Sequence, residues 1–180
     1  TGVTVTDTLS RQGTATATAA PTYQSNSVVE YKGSAAQTTG PEFPSPMTAT
    51  VLINNVNGVT LNAAKTIDDS LIVRAGSLSD GGFQITGNAA DSLIVKAGST
   101  LILGSAGTAT AFPTNFGVNL DPASTVTYNA GVAQVISAAP AYGHLTIQGA
   151  GAKSTGASST LTVGGTMTLA AGTFAPGANA

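Results

Sequence analysis

Cysteine is absent from the 180 residues, so the chain has neither disulfides nor thiolate metal ligands. Tryptophan is absent as well, and His144 is the single histidine, which excludes a multi-histidine metal site within one chain. Charged residues make up 8 % of the sequence, against ~25 % in an ordinary soluble domain. No run reaches the ~18 apolar residues that a bilayer-spanning helix needs. These absences leave little material for metal, redox or membrane-spanning functions.

The net charge of −2 gives a pI near 5.0, and no basic patch is present that could hold a phosphate backbone. We therefore expect no nucleic-acid partner, no membrane span and no cofactor. Thr and Val are plentiful, whereas helix formers such as Glu and Lys are scarce, which favours strands. The sequence has no initiating Met and no signal peptide, so we expect a mature product or an excised fragment.

The central part of the chain contains one segment twice. Asp69–Ser77 returns as Asp91–Ser99, with eight of nine positions identical and Arg74 exchanged for Lys96. The offset of 22 residues lies inside the ~20–50-residue periods of repeat architectures. Each copy is a short β-branched run closed by a glycine, which is typical of a strand.

A strand that recurs every 22 residues can lie parallel on its previous copy, one rung per coil. The sequence therefore predicts an all-β fold: a parallel β-helix (β-solenoid) of about eight coils with an N-terminal extension strand. Strand alternation predicts that Leu71, Val73, Leu93 and Val95 point inward. The same alternation places Arg74 and Lys96 outside.

A longer repeat begins after residue 27. Residues 29–37 resemble residues 126–134, with Val, Tyr, Ala and Gln in register at an offset of 97. Each copy is followed by a Pro-containing passage, a further strand and a Leu-x-Val strand, which is residues 71–73 in one copy and Leu161–Val163 in the other. We expect about one and a half copies of a unit of ~100 residues.

Residues 1–27 do not share this pattern. Thr1–Leu9 alternates, with Val3, Val5 and Leu9 on one side, which predicts a half-buried strand. Residues 11–27 form a Thr/Ala/Ser tract that predicts a linker. We therefore divide the chain into an N-terminal strand and linker (1–27) and a β-solenoid domain (28–180). The linker is long enough for Val3, Val5 and Leu9 to add to a neighbour's sheet; alternatively, the strand caps its own first coil.

Two isoleucines complete the candidate self-association residues. Alternation places Ile72 and Ile94 outward on adjacent coils, stacked on one another. Adjacent exposed isoleucines predict a patch that a loop or a neighbouring chain covers, although a harmless aliphatic ladder is the alternative.

The acidic residues near the repeated segment form the one cluster of charges that the sequence predicts. Asp69 and Asp91 are expected one rung apart, with Asp68 and Asp80 nearby. Turn residues at solvated strand ends are the simplest interpretation, and Ca²⁺ binding or catalysis are the alternatives. His144 is expected to be a solvated turn residue. Flat threonine arrays can bind ice or crystalline sugars, but the pattern predicts isoleucine at the matching outward positions of the first repeat.

A series of short motifs resembles a known type of repeat. The series comprises Phe112–Phe116, Leu120–Asn129, Gln134, Tyr142–Gly149 and Leu161–Val163. It resembles a repeat in large secreted, adhesin-like β-helical surface proteins of Bacteroidetes-like bacteria, over roughly residues 28–174. The resemblance implies a fold displayed on the cell surface, and it supplies no catalytic residues.

The expected function is a non-enzymatic structural segment of an extracellular fibre, filament or adhesin. It would self-associate as a homopolymer or form part of a larger surface protein. A glycan- or ice-binding β-solenoid module is the alternative, and a polysaccharide-active β-helix enzyme is the third possibility. No cofactor, metal site or catalytic residue is expected.

Overall fold

The computed structural model describes residues 2–157 and 159–177, and within those ranges the chain contains strands and no helix. In chain order, the strands are β1 (Thr4–Val5), β2 (Thr8–Arg11), β3 (Thr22–Tyr23), β4 (Val28–Tyr31), β5 (Gln37–Thr38), β6 (Thr50–Thr60), β7 (Lys65–Thr66), β8 (Leu71–Ser79), β9 (Ile85–Thr86), β10 (Ser92–Val95), β11 (Thr100–Leu103), β12 (Gly117–Leu120), β13 (Thr125–Tyr128), β14 (Gln134–Ile136), β15 (His144–Ile147), β16 (Ala152–Thr155), β17 (Met167–Leu169) and β18 (Thr173–Ala175).

These strands pair in parallel and stack as a β-solenoid of about eight turns, which confirms the predicted fold class. The principal sheet holds 11 strands, with a continuous path β17-β15-β13-β11-β8-β6-β4-β2. Strands β10 and β12 extend a second branch from β8, and β5 pairs with β6. Three smaller sheets, β1-β3, β7-β9 and β14-β16-β18, form other parts of the coils. Parallel pairing follows because successive coils run in the same direction.

The core consists of stacked inward side chains, as the 22-residue repeat predicts. Leu93 pairs with Leu71 and Val95 with Val73, and all four side chains are fully buried. Arg74 and Lys96 are exposed. Alternation along each strand sends every second residue inward, so one repeat per coil builds a continuous aliphatic stack.

The long strands β6 and β8 turn a corner. Their register shifts between Ile53 and Asn54 and again between Asn55 and Val59. Beyond the corner the sheet divides, so that β10 continues from the first part of β8 and β11 from its second part.

Gly76 lies at this corner, and the equivalent glycine of the next coil provides a matched control. Both have a positive φ, +74° at Gly76 and +71° at Gly98. A Cβ at Gly76 would lie 1.9 Å from the Asn55 carbonyl oxygen, whereas a Cβ at Gly98 would meet nothing within 4 Å. We expect Gly98→Ala to cost about 1 kcal/mol through backbone strain alone and Gly76→Ala to cost several-fold more. Denaturant melts of both variants measure the difference, and equal costs would show that the corner adapts freely.

The N-terminal segment differs from its predicted organisation. β2 pairs with β4 across the proposed boundary at residue 27, and β3 lies inside the stretch predicted as a linker. The predicted Thr1–Leu9 strand is divided in two, because residues 6 and 7 bend between β1 and β2; Thr1 itself lies outside the described residues. The segment therefore forms the first coil of the solenoid on its own chain, which is the intramolecular alternative.

The longer repeat extends further than the sequence indicated. Strand β13 lies on β11 in the register in which β4 lies on β2, so Val126 and Tyr128 correspond to Val29 and Tyr31. In both halves a glutamine then donates its side-chain amide to the carbonyl that ends a strand of the coil before it: Gln37 to Arg11 at the end of β2, and Gln134 to Leu103 at the end of β11. Residues 3–79 and 93–175 are therefore two copies of one four-coil unit, here called the first and second modules.

The strand register corrects one predicted correspondence. Val51 pairs with Leu71 in the first module, and Leu145, which corresponds to Val51, pairs with Met167. Thus Met167–Leu169, and not Leu161–Val163, corresponds to residues 71–73. Val163 instead forms a parallel bridge with Tyr142 of the preceding coil. The predicted correspondence was wrong because the sequences of Leu161–Val163 and Met167–Leu169 are both strand-like, and the first one matches the Leu-x-Val pattern.

Candidate self-association surfaces

The N-terminal end of the rod exposes an edge of the sheet. Among the described residues, β1 pairs only with β3 and β2 only with β4, so each has one unpaired side. Val3 is 66 % exposed and Leu9 is half-buried, whereas Val5 is buried. The three predicted self-association residues are thus near one another on the first coil, but they do not share one exposed face.

A buried ion pair fixes this first coil to the coils above it. Arg11 Nη1 lies 3.0 Å from Glu42 Oε1, and both side chains are more than nine-tenths buried. The Arg11 Nε also donates to the Ala15 carbonyl at 2.6 Å, and its Nη1 donates to the Thr38 carbonyl. The guanidinium lies 5.6 Å from the ring centroid of Tyr31. A buried charge requires such partners, so the N-terminal strand is held tightly by its own chain.

Three donors converge on one oxygen of Glu42. Besides Arg11, the Tyr31 hydroxyl and the Gly40 amide donate to Oε1, each at 2.8 Å. The second oxygen, Oε2, is buried and has no hydrogen-bond partner among the described residues. Tyr23 donates its hydroxyl to the Glu42 carbonyl at 2.6 Å. Burial, reinforced by the Glu42 charge, raises the pKa of Tyr23 and of Tyr31 well above the ordinary value.

The C-terminal end of the rod exposes the opposite edge. Among the described residues, β17 pairs only with β15 and β18 only with β16. Leu169 is 63 % exposed, and Met167 and Phe174 are half-buried. A cavity of about 460 Å³ opens here, and Leu161 and Val163 also line it. Among the described residues, the aliphatic core that is closed between the coils is therefore open at this end.

Ile72 and Ile94 lie on the side of the rod and not at its ends. They pair in register, with Leu52 on the next rung, and all three are half-buried. The stacked arrangement is the predicted one. Whether a neighbouring chain covers it stays a prediction.

The acidic residues each make their own local hydrogen bonds. Asp69 accepts from the Ser70 amide at 2.6 Å, and Asp91 accepts from the Asn88 amide at 3.0 Å, which is the chemistry of turn residues. Asp80 is buried elsewhere and accepts from the Gly104 amide at 2.8 Å. Burial raises the pKa of the Asp80 carboxyl. Within the described residues, no three His, Cys, Asp or Glu side chains come together as metal ligands could.

An outward column of hydroxyl side chains follows the second part of the sheet. Its paired members are Thr38, Thr60, Ser79, Thr127, Thr146 and Thr168, and Ile102 interrupts the column between Ser79 and Thr127. The predicted interruption by Ile72 and Ile94 is wrong, because those residues belong to the other branch. However, Thr127 in the middle of the column is buried, so the hydroxyls do not form one open flat surface. His144 starts β15 next to this column, and its Nδ1 accepts from the Thr166 amide at 2.9 Å.

Sequence reasoning missed the buried polar contacts that hold the coils. Arg11 and Glu42 are 31 residues apart and in different coils, and no local pattern connects them. Lys153 is likewise fully buried and donates to the carbonyls of Ala130 and Gly151 at 2.8 and 2.9 Å. Burial lowers the pKa of Lys153. The signal available in the sequence was a lysine, Lys153, at a strand position that alternation directs inward.

Comparison of the chain with protein-family models, curated proteins and solved structures finds no match. The resemblance to adhesin-like surface repeats therefore stays a prediction. No helix among the described residues has both the length and the apolar character that are needed to cross a membrane.

Proposed function

We propose that this chain is a non-enzymatic structural segment of an extracellular or cell-surface fibre, filament or adhesin that self-associates through its coil edges. The observation that supports it best is the continuity of the principal sheet, whose path runs from β2 to β17 without a break. In such an array each repeat contacts its neighbours, and the parallel rungs give a stiff, extendable rod. The chain would form a homopolymer or be part of a larger surface protein, and a glycan is the further partner proposed.

The internal duplication also supports a structural role. The second module continues the sheet of the first, since β10 and β11 both pair with β8. Adding a module therefore lengthens the rod without a new type of contact.

The two alternatives have weaker support. A glycan- or ice-binding face would use the hydroxyl column, but Thr127 is buried at its centre. A polysaccharide-active enzyme would use a carboxylate pair, but Asp69 and Asp91 each cap a local turn. The structural role needs neither feature.

Immunogold electron microscopy of the native material tests this function directly. An antibody against the folded chain is expected to label filaments or an outer surface layer. Labelling confined to the cell interior would contradict the proposed function, whatever the chain does when purified.

The aliphatic ladder on the side of the rod suggests lateral packing. We expect a variant with Ile72→Lys and Ile94→Lys to reduce the sideways bundling of filaments, because charge would be introduced on a half-buried apolar column. Filament width in negative-stain images is the measurement, and Arg74→Lys, an exposed charge-conserving change, is the control. Unchanged width in the double variant would leave Ile72 and Ile94 as a structural ladder only.

A further inference from the structure

We propose that copies of this chain stack head to tail, with the first coil of one copy on the last coil of the next, in the register that already joins the two modules. This inference rests on the proposed self-associating function and specifies its partner, polarity and contacts. The partner is a second copy of the chain. The template for the contact is the module junction within one chain.

That junction is fully described by its paired residues. Across it, Leu93 lies on Leu71, Val95 on Val73, and Leu101 on Leu78. All six side chains have 0 % exposure. Each coil at the junction thus closes the core of the coil below it.

The N-terminal end of the chain repeats the upper half of this junction. Strand β2 corresponds to β11, so Leu9 takes the position of Leu101. The Val5 carbonyl accepts from the Gln24 amide at 3.0 Å, as the Val95 carbonyl accepts from the Asp121 amide at 2.9 Å. Val5 therefore takes the position of Val95, and Val3, two residues earlier on the same side of the strand, takes the position of Leu93.

The C-terminal end repeats the lower half. Ile147 pairs with Leu169 as Ile53 pairs with Val73, so Leu169 takes the position of Val73. By the same argument, Phe174 takes the position of Leu78, because Lys153 and Val59 correspond.

Continuing the junction between two copies then fixes the contacts. Val3 of one copy would lie on Met167 of the next, Val5 on Leu169, and Leu9 on Phe174. Val3 and Leu169 are 66 % and 63 % exposed, although the residues at the matching junction positions are completely buried. The contact would thus cover both of these exposed side chains.

The edges themselves favour this contact. Unpaired backbone groups on an edge strand readily pair with another chain unless charges or prolines obstruct them. Neither β17 nor β18 contains a charged residue or a proline. The one charge in β2, Arg11, is already engaged by Glu42. The geometry is that of strand addition, with each strand remaining on its own coil.

Two single variants of the full chain test the polarity. Val3→Asp blocks the head and Leu169→Asp blocks the tail, so each alone is expected to stay monomeric in analytical ultracentrifugation while the unmodified chain associates. Mixed together they should form a complex of two chains and no larger species, with twice the 17.5 kDa of one chain, because one unmodified head meets one unmodified tail. The remaining ends both carry aspartate and repel.

Val135→Asp is the matched control, since Val135 is 61 % exposed on β14, away from both ends. It should associate as the unmodified chain does, and circular dichroism should show all variants folded. An unmodified chain that stays monomeric would overturn the inference. So would a mixture of the two aspartate variants that stays monomeric, or association that only one of them abolishes, which indicates head-to-head or tail-to-tail contact. None of these results would remove filament labelling in the native material, so the inference and the proposed function fail separately.

Discussion

Replacing Arg11 with methionine is expected to lower the free energy of unfolding by about 3–5 kcal/mol, the usual cost of removing one partner of a buried ion pair. The change leaves the Glu42 carboxylate buried with only Tyr31 and Gly40 as donors. It also releases the first coil from the Thr38 carbonyl. A domain of this size is stabilised by about 5–15 kcal/mol in total, so the loss is a large fraction.

The control for this prediction is Arg74→Met. Arg74 is exposed on β8, and exposed substitutions usually change stability by about 0.5 kcal/mol or less. Adding Glu42→Gln to Arg11→Met should restore part of the loss, since it removes the unpaired charge. Equal denaturant midpoints for the Arg11 and Arg74 variants would mean that the ion pair contributes nothing to the coil.

Alkaline pH is expected to unfold the chain cooperatively through its tyrosines. All four, Tyr23, Tyr31, Tyr128 and Tyr142, are buried, and burial is the first cause that raises the pKa of each. The folded state therefore keeps phenol protons that the unfolded chain loses near its ordinary pKa of ~10. Their contribution to stability is complete below that pH and is lost as the pH rises above it.

With four protons involved, stability should fall by up to about 5 kcal/mol per pH unit above ~10.5. Lys65 and Lys153, whose pKa burial lowers, act in the opposite sense only below the ordinary lysine pKa. The measurement is tyrosinate absorbance recorded together with far-ultraviolet circular dichroism. Both should change in one transition, and Tyr23→Phe should make the pH slope shallower by about a quarter. A gradual tyrosinate signal centred near pH 10 in a chain that stays folded would contradict the prediction.

The sequence predicted the central coils well because there the repeat length equals one coil. Residues 69–77 and 91–99 are nearly identical, so the pairing of Leu71 with Leu93 followed from alternation and a constant offset. Identity at eight of nine positions also left no freedom for a different register. A short repeat of fixed length is therefore sufficient to predict both a coil and its core.

The ends were harder to predict because turn lengths vary. Corresponding residues are offset by 92 at Thr8, by 97 at Val29 and by 94 at Val51, so no single period aligns the modules. The Gly-Thr-Ala-Thr-Ala sequence occurs at residues 13–17 and again at 107–111, but its low complexity resembles a linker. The N-terminal segment was accordingly separated from the solenoid to which it belongs.

The self-association residues were predicted in part. Val3 and Leu9 could be proposed from alternation in the sequence, but Leu169 and Phe174 could not. Their importance comes from the absence of a paired neighbour on one side among the described strands, and a sequence does not show where a sheet ends. The Arg11–Glu42 ion pair was missed for a similar reason, since its partners meet only after two coils have stacked.

Oxidative cross-linking of a chain with Val3→Cys and Met167→Cys tests the head-to-tail account most directly. Neighbouring parallel strands are ~4.8 Å apart, a distance that suits a disulfide, and the chain contains no other cysteine. The two positions lie at opposite ends of one rod, so a bond between them must join two chains. The account predicts a reducible ladder of dimers, trimers and longer species on a denaturing gel, and no ladder from the control pair Val135→Cys and Met167→Cys. A folded Val3→Cys, Met167→Cys chain that remains monomeric under oxidation, or that cross-links no faster than the control, would contradict it.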